Sequence, residues 1–170
     1  MEKREVDAVV LVVDRAREDA EKIAAEFTLP GRFPVDVEDI ANQMGIKVEY
    51  TYLQEGVSGM IRARPDEIPI IYVDQRDSRG RQRFTIAHEL GHYVERTNQG
   101  KVDFAFIDRR GMEYDLHEFY ADEFAGNLLM PREVLAKLQA DGMTNLGIAK
   151  YFEVSPTALN KRLERLSKHI

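Results

Sequence analysis

Two histidines four residues apart, His88 and His92, with Glu89 between them, make the most chemically pointed stretch of this chain, F-T-I-A-H-E-L-G-H-Y-V-E from Phe84 to Glu95. On an α-helix, positions i and i+4 share a face, so both imidazoles address one point and Glu89 reaches the space beside it. Two neutral imidazole nitrogens plus a third protein ligand hold Zn²⁺ and leave one position open for water, which separates a catalytic site from a closed structural one. The chemistry expected is metal-assisted hydrolysis, with Glu89 taking a proton from the attacking water. The competing reading makes His88 and His92 two buried, hydrogen-bonded histidines and Glu89 a solvated helix residue.

The segment that carries these residues must be a helix, expected from about Arg79 to Arg96 and capped by Asp77 or Ser78. Phe84, Ala87, Leu90, Gly91 and Val94 mark one apolar face, and Ile86, Leu90 and Tyr93 a second. A helix apolar around so much of its circumference belongs inside a domain. Gly91 costs about 1 kcal/mol of helix propensity relative to Ala, which makes sense if another backbone or the metal site comes close there. Arg81 and Arg83, on the first turns, read as solvated.

A third ligand is sought in the helical segment Glu113 to Pro131, E-Y-D-L-H-E-F-Y-A-D-E-F-A-G-N-L-L-M-P. Glu118 and Asp122 stand four apart on one face. His117 is the strongest rival, and Glu113, Asp115 and Glu123 are further candidates. Residues 117 and 118 differ by about 100° around the helix, so both cannot face one ion. Tyr114 and Tyr120 are nearby phenols that could stabilise an oxyanion, although core packing is the simpler role for each.

With 170 residues, the chain can bury a real core as one domain or one domain with a small appendage. Cysteine is absent, which leaves nitrogen and oxygen as metal ligands and removes a Cys-ligated, peptide deformylase-like site. A net charge of −6 argues against nucleic-acid binding over the whole surface. No stretch reads as a signal peptide or a membrane span, so the cytoplasm is the expected compartment.

The remaining elements follow from periodicity. Residues 5 to 28 read as a long amphipathic helix ended by Leu29-Pro30-Gly31, and Val37 to Met44 as a short one capped by Asp36 and stopped at Gly45. Ile46 to Leu53, Val57 to Arg64 and Ile68 to Val73 read as three strands of an antiparallel sheet. Pro69 marks an entry or edge position. Residues 97 to 112 read as a long connection carrying Phe104, Phe106 and Ile107, either a lid or a core seal. After Pro131, short helices over Val134–Leu138, Thr144–Tyr151 and Ser155–Leu166 look like a small helix-turn-helix. Its end, residues 150 to 168, carries a local charge of +3 from Lys150, Lys161, Arg162, Arg165 and Lys168 against Glu153 and Glu164. The fold class expected is α+β, mainly helical, with residues 1–131 as a metallopeptidase domain and 132–170 as a C-terminal helical segment packed on it.

The E-x-x-x-D pair is similar to that of the glutamate zincins, in which the first carboxylate binds zinc and the Asp accepts the N–H of the first histidine. That resemblance makes Glu118 the third ligand and Asp122 the partner of His88. A strand beside the metal helix commonly holds extended substrate in zincins, and Val57 to Arg64 is the candidate edge. More closely, R-F-T-I-A-H-E-L-G-H from Arg83 to His92 and E-F-Y-A-D-E-F-A-G-N-L-L-M-P from Glu118 to Pro131 resemble the ImmA/IrrE family of metallo-endopeptidases. This resemblance implies a zinc endopeptidase whose substrate is a helix-turn-helix repressor made by the same operon or mobile element, so that cleavage relieves repression. The alternative is a non-catalytic regulator or partner-binding protein that keeps the zincin fold, with DNA contact through the C-terminal helices as a minor expectation.

Overall fold

The computed structural model describes residues 3–109 and 115–168, with side chains from residue 10 onward in the first helix. Its described elements are α1 (Lys3–Phe27), α2 (Val37–Gln43), β1 (Lys47–Thr51), β2 (Val57–Ala63), β3 (Ile70–Asp74), α3 (Arg79–Asn98), β4 (Phe104–Arg109), α4 (Leu116–Leu129), α5 (Arg132–Ala140), α6 (Asn145–Phe152) and α7 (Pro156–Lys168). The architecture is α+β. Helix boundaries follow local chemistry: the Asp36 side chain accepts from the Asp39 N–H at the start of α2, Thr144 accepts from Gly147 at the start of α6, and Ser155 accepts from Ala158 at the start of α7.

The sheet departs from the expected three-stranded antiparallel arrangement. Its order is β1-β3-β2-β4, with β1 parallel to β3 and the other pairs antiparallel. β2 and β3 form the hairpin, turning where Asp66 takes a positive φ of 63°. β3 then lies between β2 and β1, so consecutive strands β1 and β2 never pair. Ile71 and Val73 of β3 are completely buried, as suits an interior strand, and Pro69 lies just before it, where it gives up no ladder hydrogen bond.

β4 is the element that sequence periodicity placed inside a connection. Phe104, Phe106 and Asp108 turn inward while Ala105, Ile107 and Arg109 face solvent, a two-residue period over six positions. Its pairing with β2 overturns the expectation that Val57–Arg64 is a free edge: β2 is bonded on both sides, and β4 is the outer strand.

α3 runs through the centre. Ile86, Ala87 and Leu90 are buried between the sheet, which contributes Ile61, Ile71 and Val73, and the helices α1 and α4, which contribute Ala16, Ala20, Ala121, Phe124 and Ala125. Arg83 is not solvated as its position near the helix start implied. It is 8% exposed and donates to the carbonyls of Val35 and Glu153 at 2.7 and 3.2 Å, tying α3 to the segment before α2 and to the α6–α7 turn. Arg81, by contrast, is exposed as expected, its guanidinium donating to Ser58 Oγ and Asp77 Oδ2. Phe152 of α6 packs edge-on against Phe33 with ring centroids 5.3 Å apart. Among the described residues no helix is long and apolar enough to cross a membrane.

Candidate metal centre

α3 and α4 cross where neither has bulk. A Cβ built on Gly91 would meet the Ala121 Cα at 3.0 Å and its carbonyl oxygen at 3.2 Å, so glycine is what permits this separation. At that crossing α3 presents His88 and His92, and α4 presents Glu118 and Asp122.

The four side chains interlock. His88 Nε2 lies 3.1 Å from His92 Nε2 and 3.3 Å from Glu118 Oε2, and His92 Nε2 lies 3.3 Å from Glu118 Oε1. The other ring nitrogen of His88, Nδ1, is 2.9 Å from Asp122 Oδ1. An imidazole that donates its Nδ1–H to that carboxylate has a lone pair on Nε2, so its Nε2, the Nε2 of His92 and the Glu118 carboxylate bring acceptors to one place. Such convergence is repulsive unless a proton or a cation sits among them. Around a tetrahedral ion with bonds of about 2.0–2.1 Å, ligand atoms lie about 3.3–3.4 Å apart, close to the separations found here. The residues therefore fit a bound divalent metal. Among the described residues His88, His92 and Glu118 form one group able to hold an ion.

Without a cation, a proton carries part of this balance. Burial disfavours a charged His88, yet its hydrogen bonds to Asp122 and Glu118 prevail and hold its pKa well above the usual imidazole value. Burial pushes His92 down. Burial would raise Glu118, but its bonds to His88 and His92 outweigh that and hold it down to about 2. Glu118 is the anion of the group.

Glu89 is wholly buried, and neither of its carboxylate oxygens has a hydrogen-bond partner among the described residues. Burial pushes its pKa up to about 8 against the downward pull of His88, with Asp108 and Glu118 adding to the rise. A divalent cation beside it would reverse that sense and keep the carboxylate ionised. Space for Glu89 comes from β2, where a Cβ on Gly59 would collide with Thr85 Cγ2 and come 3.0 Å from Glu89 Oε1. The β2–β4 ladder shifts register between Val57 and Gly59, beside this carboxylate.

Other candidates have different work. His117 turns to Glu95 of α3, with Nδ1 2.9 Å from Oε2, and stands outside the metal group. Asp115 caps α4 by accepting from the N–H groups of His117 and Glu118. Tyr120 is a core residue whose hydroxyl donates to Asp19 of α1 at 2.7 Å. Glu123 pairs with Arg162 and Arg165. Glu113 and Tyr114 lie outside the described residues.

Phe106 and Asp108 were not assigned to the site from sequence, Phe106 having been read only as part of a connection that is a lid or a core seal. Phe106 of β4 stacks on the His92 ring at 4.2 Å with 2° between planes and so fixes its orientation. Asp108, two residues on, faces the same site, and burial raises its pKa. A cleft of about 600 Å³ opens beside the metal group, bounded by His88, Asp108, Glu118 and Asp122 on one side and by Lys161, Arg162 and Arg165 of α7 on the other. Only the inward alternation of Phe104, Phe106 and Asp108 could have pointed to the strand.

An α+β domain with two histidines and a glutamate converging beside a buried carboxylate defines a zincin-like metallopeptidase scaffold. The chain belongs to the peptidase M78 family, the IrrE N-terminal-like domain, whose profile matches residues 41–164. This is a metallopeptidase family, as the two quoted motifs led us to expect. No curated protein matches the chain. Among solved structures it is similar to a Mycobacterium tuberculosis transcriptional regulator, with a TM-score of 0.55 and 18% identity over 92% of this chain and 51% of that one. The likeness is one of fold, and the chain spans about half the length of that regulator.

Proposed function

We propose that the protein is a zinc-dependent endopeptidase that cleaves a protein substrate, with a cognate helix-turn-helix repressor as the substrate class and relief of repression as the outcome. The observation that carries the reading is the buried Glu89 carboxylate, unpartnered among the described residues, next to a His88, His92 and Glu118 group with the spacing of a metal site. A resident Zn²⁺ would supply a Lewis acid that polarises a peptide carbonyl and makes water acidic enough to attack near neutral pH.

The chain's own residues do the rest. His88, His92 and Glu118 hold the cation, and Asp122 keeps the proton of His88 on Nδ1 so that Nε2 faces inward. Glu89 accepts a proton from water as its oxygen bonds to the carbonyl carbon, then delivers that proton to the departing amine nitrogen as the C–N bond breaks. The products are a carboxylate and an amine. Because β4 is the outer strand and Phe106 and Asp108 reach the centre, the substrate backbone pairs along β4. The cytoplasm is the compartment in which a repressor would be met.

The test is to incubate the purified protein with the repressor encoded beside it, with and without a chelator, and to map fragments by mass. Cleavage that is lost on chelation and in Glu89→Gln, while that variant keeps its zinc, is the expected result. Turnover by Glu89→Gln at the normal rate would reject the mechanism. The same variant separates the non-catalytic regulator, whose effect on transcription would survive the substitution.

A further inference from the structure

The C-terminal helix reaches the partner of a metal-centre histidine through Arg165. Arg165 of α7 donates from Nη2 to Asp122 Oδ2 at 2.7 Å, while the other oxygen of the same carboxylate lies 2.9 Å from His88 Nδ1. The second Arg165 nitrogen, Nη1, donates to Glu123 Oε1 at 3.1 Å, and the guanidinium lies over the Phe119 ring at 5.2 Å. One planar cation thus clasps two successive carboxylates of α4.

The clasp is itself anchored. Glu123 is 2% exposed, and its other oxygen accepts from Arg162 Nη1 at 3.2 Å. Arg162, 4% exposed, also donates to Asn127 Oδ1 at 2.7 Å and to the Met130 carbonyl at 3.4 Å, and it passes α4 where Gly126 has no Cβ to obstruct it. Buried charges with all these partners are costly to rearrange, so α7 is locked in register with α4.

We propose that Arg165 is a positioning residue of the metal centre, fixing the Asp122 carboxylate that orients His88; this rests on His88, His92 and Glu118 being the metal ligands. A carboxylate turns about its terminal torsion unless its oxygens are engaged. Held at both oxygens it has one orientation, and the lone pair of His88 Nε2 then has one direction. Lysine cannot reproduce the clasp, because one ammonium does not span two carboxylates in fixed geometry. The C-terminal helix is accordingly part of the metal site.

The test uses the full chain and zinc alone, with affinity measured by competition against a chromophoric chelator. Partners that orient metal-bound histidines typically contribute 10–100-fold in affinity, so Arg165→Met is expected to weaken zinc binding about tenfold and Arg165→Lys by less. In an Asp122→Ala background the added Arg165→Met should change affinity less than about twofold, because the route to the ion is already cut. Wild-type affinity in Arg165→Met, or the same loss in both backgrounds, would overturn the proposal in favour of a simple staple between helices. If Arg165→Met does not fold, Arg165→Gln, which keeps a polar side chain but neither the cation nor the planar fork, carries the same cycle and the same criterion. A wild-type protein that takes up no stoichiometric zinc would instead defeat the reading of the ligands.

Discussion

Gly91 of α3 faces the Ala121 backbone of α4, and the four groups of the centre are disposed about these two residues alike. His88 and His92 stand three residues before and one after Gly91, and Glu118 and Asp122 stand three before and one after Ala121. The spacing that gathers the ligands is therefore the spacing that lets two backbones touch. Gly91→Ala would insert a methyl 3.0 Å from the Ala121 Cα. Overpacking of this kind costs about 1–3 kcal/mol, and the gain in helix propensity returns about 1 kcal/mol, so the zinc-free fold should lose little. Zinc affinity should fall much more, since both helices carry ligands. A chelator competition combined with a thermal melt reads the two separately, and unchanged affinity would show that the crossing does not set the site.

Gly59 is expected to matter to turnover without mattering to metal. It is the position on β2 that leaves room for the Glu89 carboxylate and for Thr85. Gly59→Ala combined with Thr85→Ala relieves the harder collision and leaves the new methyl against Glu89 alone. The remaining contact asks the carboxylate to give by only a few tenths of an ångström; since about 1 Å in a reacting group can cost on the order of 10²-fold in rate, kcat should drop by roughly severalfold at full zinc occupancy. A double variant with normal kcat would mean that Glu89 has another way to reach the substrate.

Much of this centre was legible because helical periodicity is local. The i, i+4 rule places His88 with His92 and Glu118 with Asp122 on shared faces, and the missing Cβ at Gly91 pointed to a close neighbour, which is Ala121. The sheet was not legible, since the order β1-β3-β2-β4 depends on which strands meet in three dimensions, and β4 sits between polar segments that masked its short alternation. The basic residues of α7 entered the sequence reading only as a local charge of +3, without their individual partners. Arg162 lies in the apolar stripe of Leu159, Leu163 and Leu166, which was the available sign that it faces inward. With Arg165 on Asp122 and Glu123, and Lys168 bonded to Glu164 at 2.6 Å, much of the apparent surface charge is engaged within the chain.

Arg83 supplies a stability prediction free of metal chemistry. It is a buried cation whose partners are backbone carbonyls on two other segments, at Val35 and Glu153. Burial lowers its pKa, which the nearby Glu153 carboxylate opposes. Hydrogen bonds involving a charged group contribute about 1.5–3 kcal/mol each, so Arg83→Ala should destabilise the fold by about 3 kcal/mol in denaturant titration. Arg83→Lys should recover only part of this, because an ammonium lacks the planar fork. A loss below about 0.5 kcal/mol, the range of ordinary surface substitutions, would place the side chain in solvent after all.

Zinc should stabilise the protein by an amount set by mass action. A ligand that binds only the folded state adds about 4.1 kcal/mol when present at a thousand times its Kd, so a melt with excess zinc should occur well above one with chelator. The shift depends on a negative charge between the rings. Glu118 is held ionised by its contacts with His88 and His92, and Gln at that position keeps the size while removing the charge. Glu118→Gln should therefore melt near the wild type in chelator and lose most of the rise with zinc. If the variant rises as far as the wild type, the third ligand is another side chain and the geometry of the α3–α4 crossing must be reassigned.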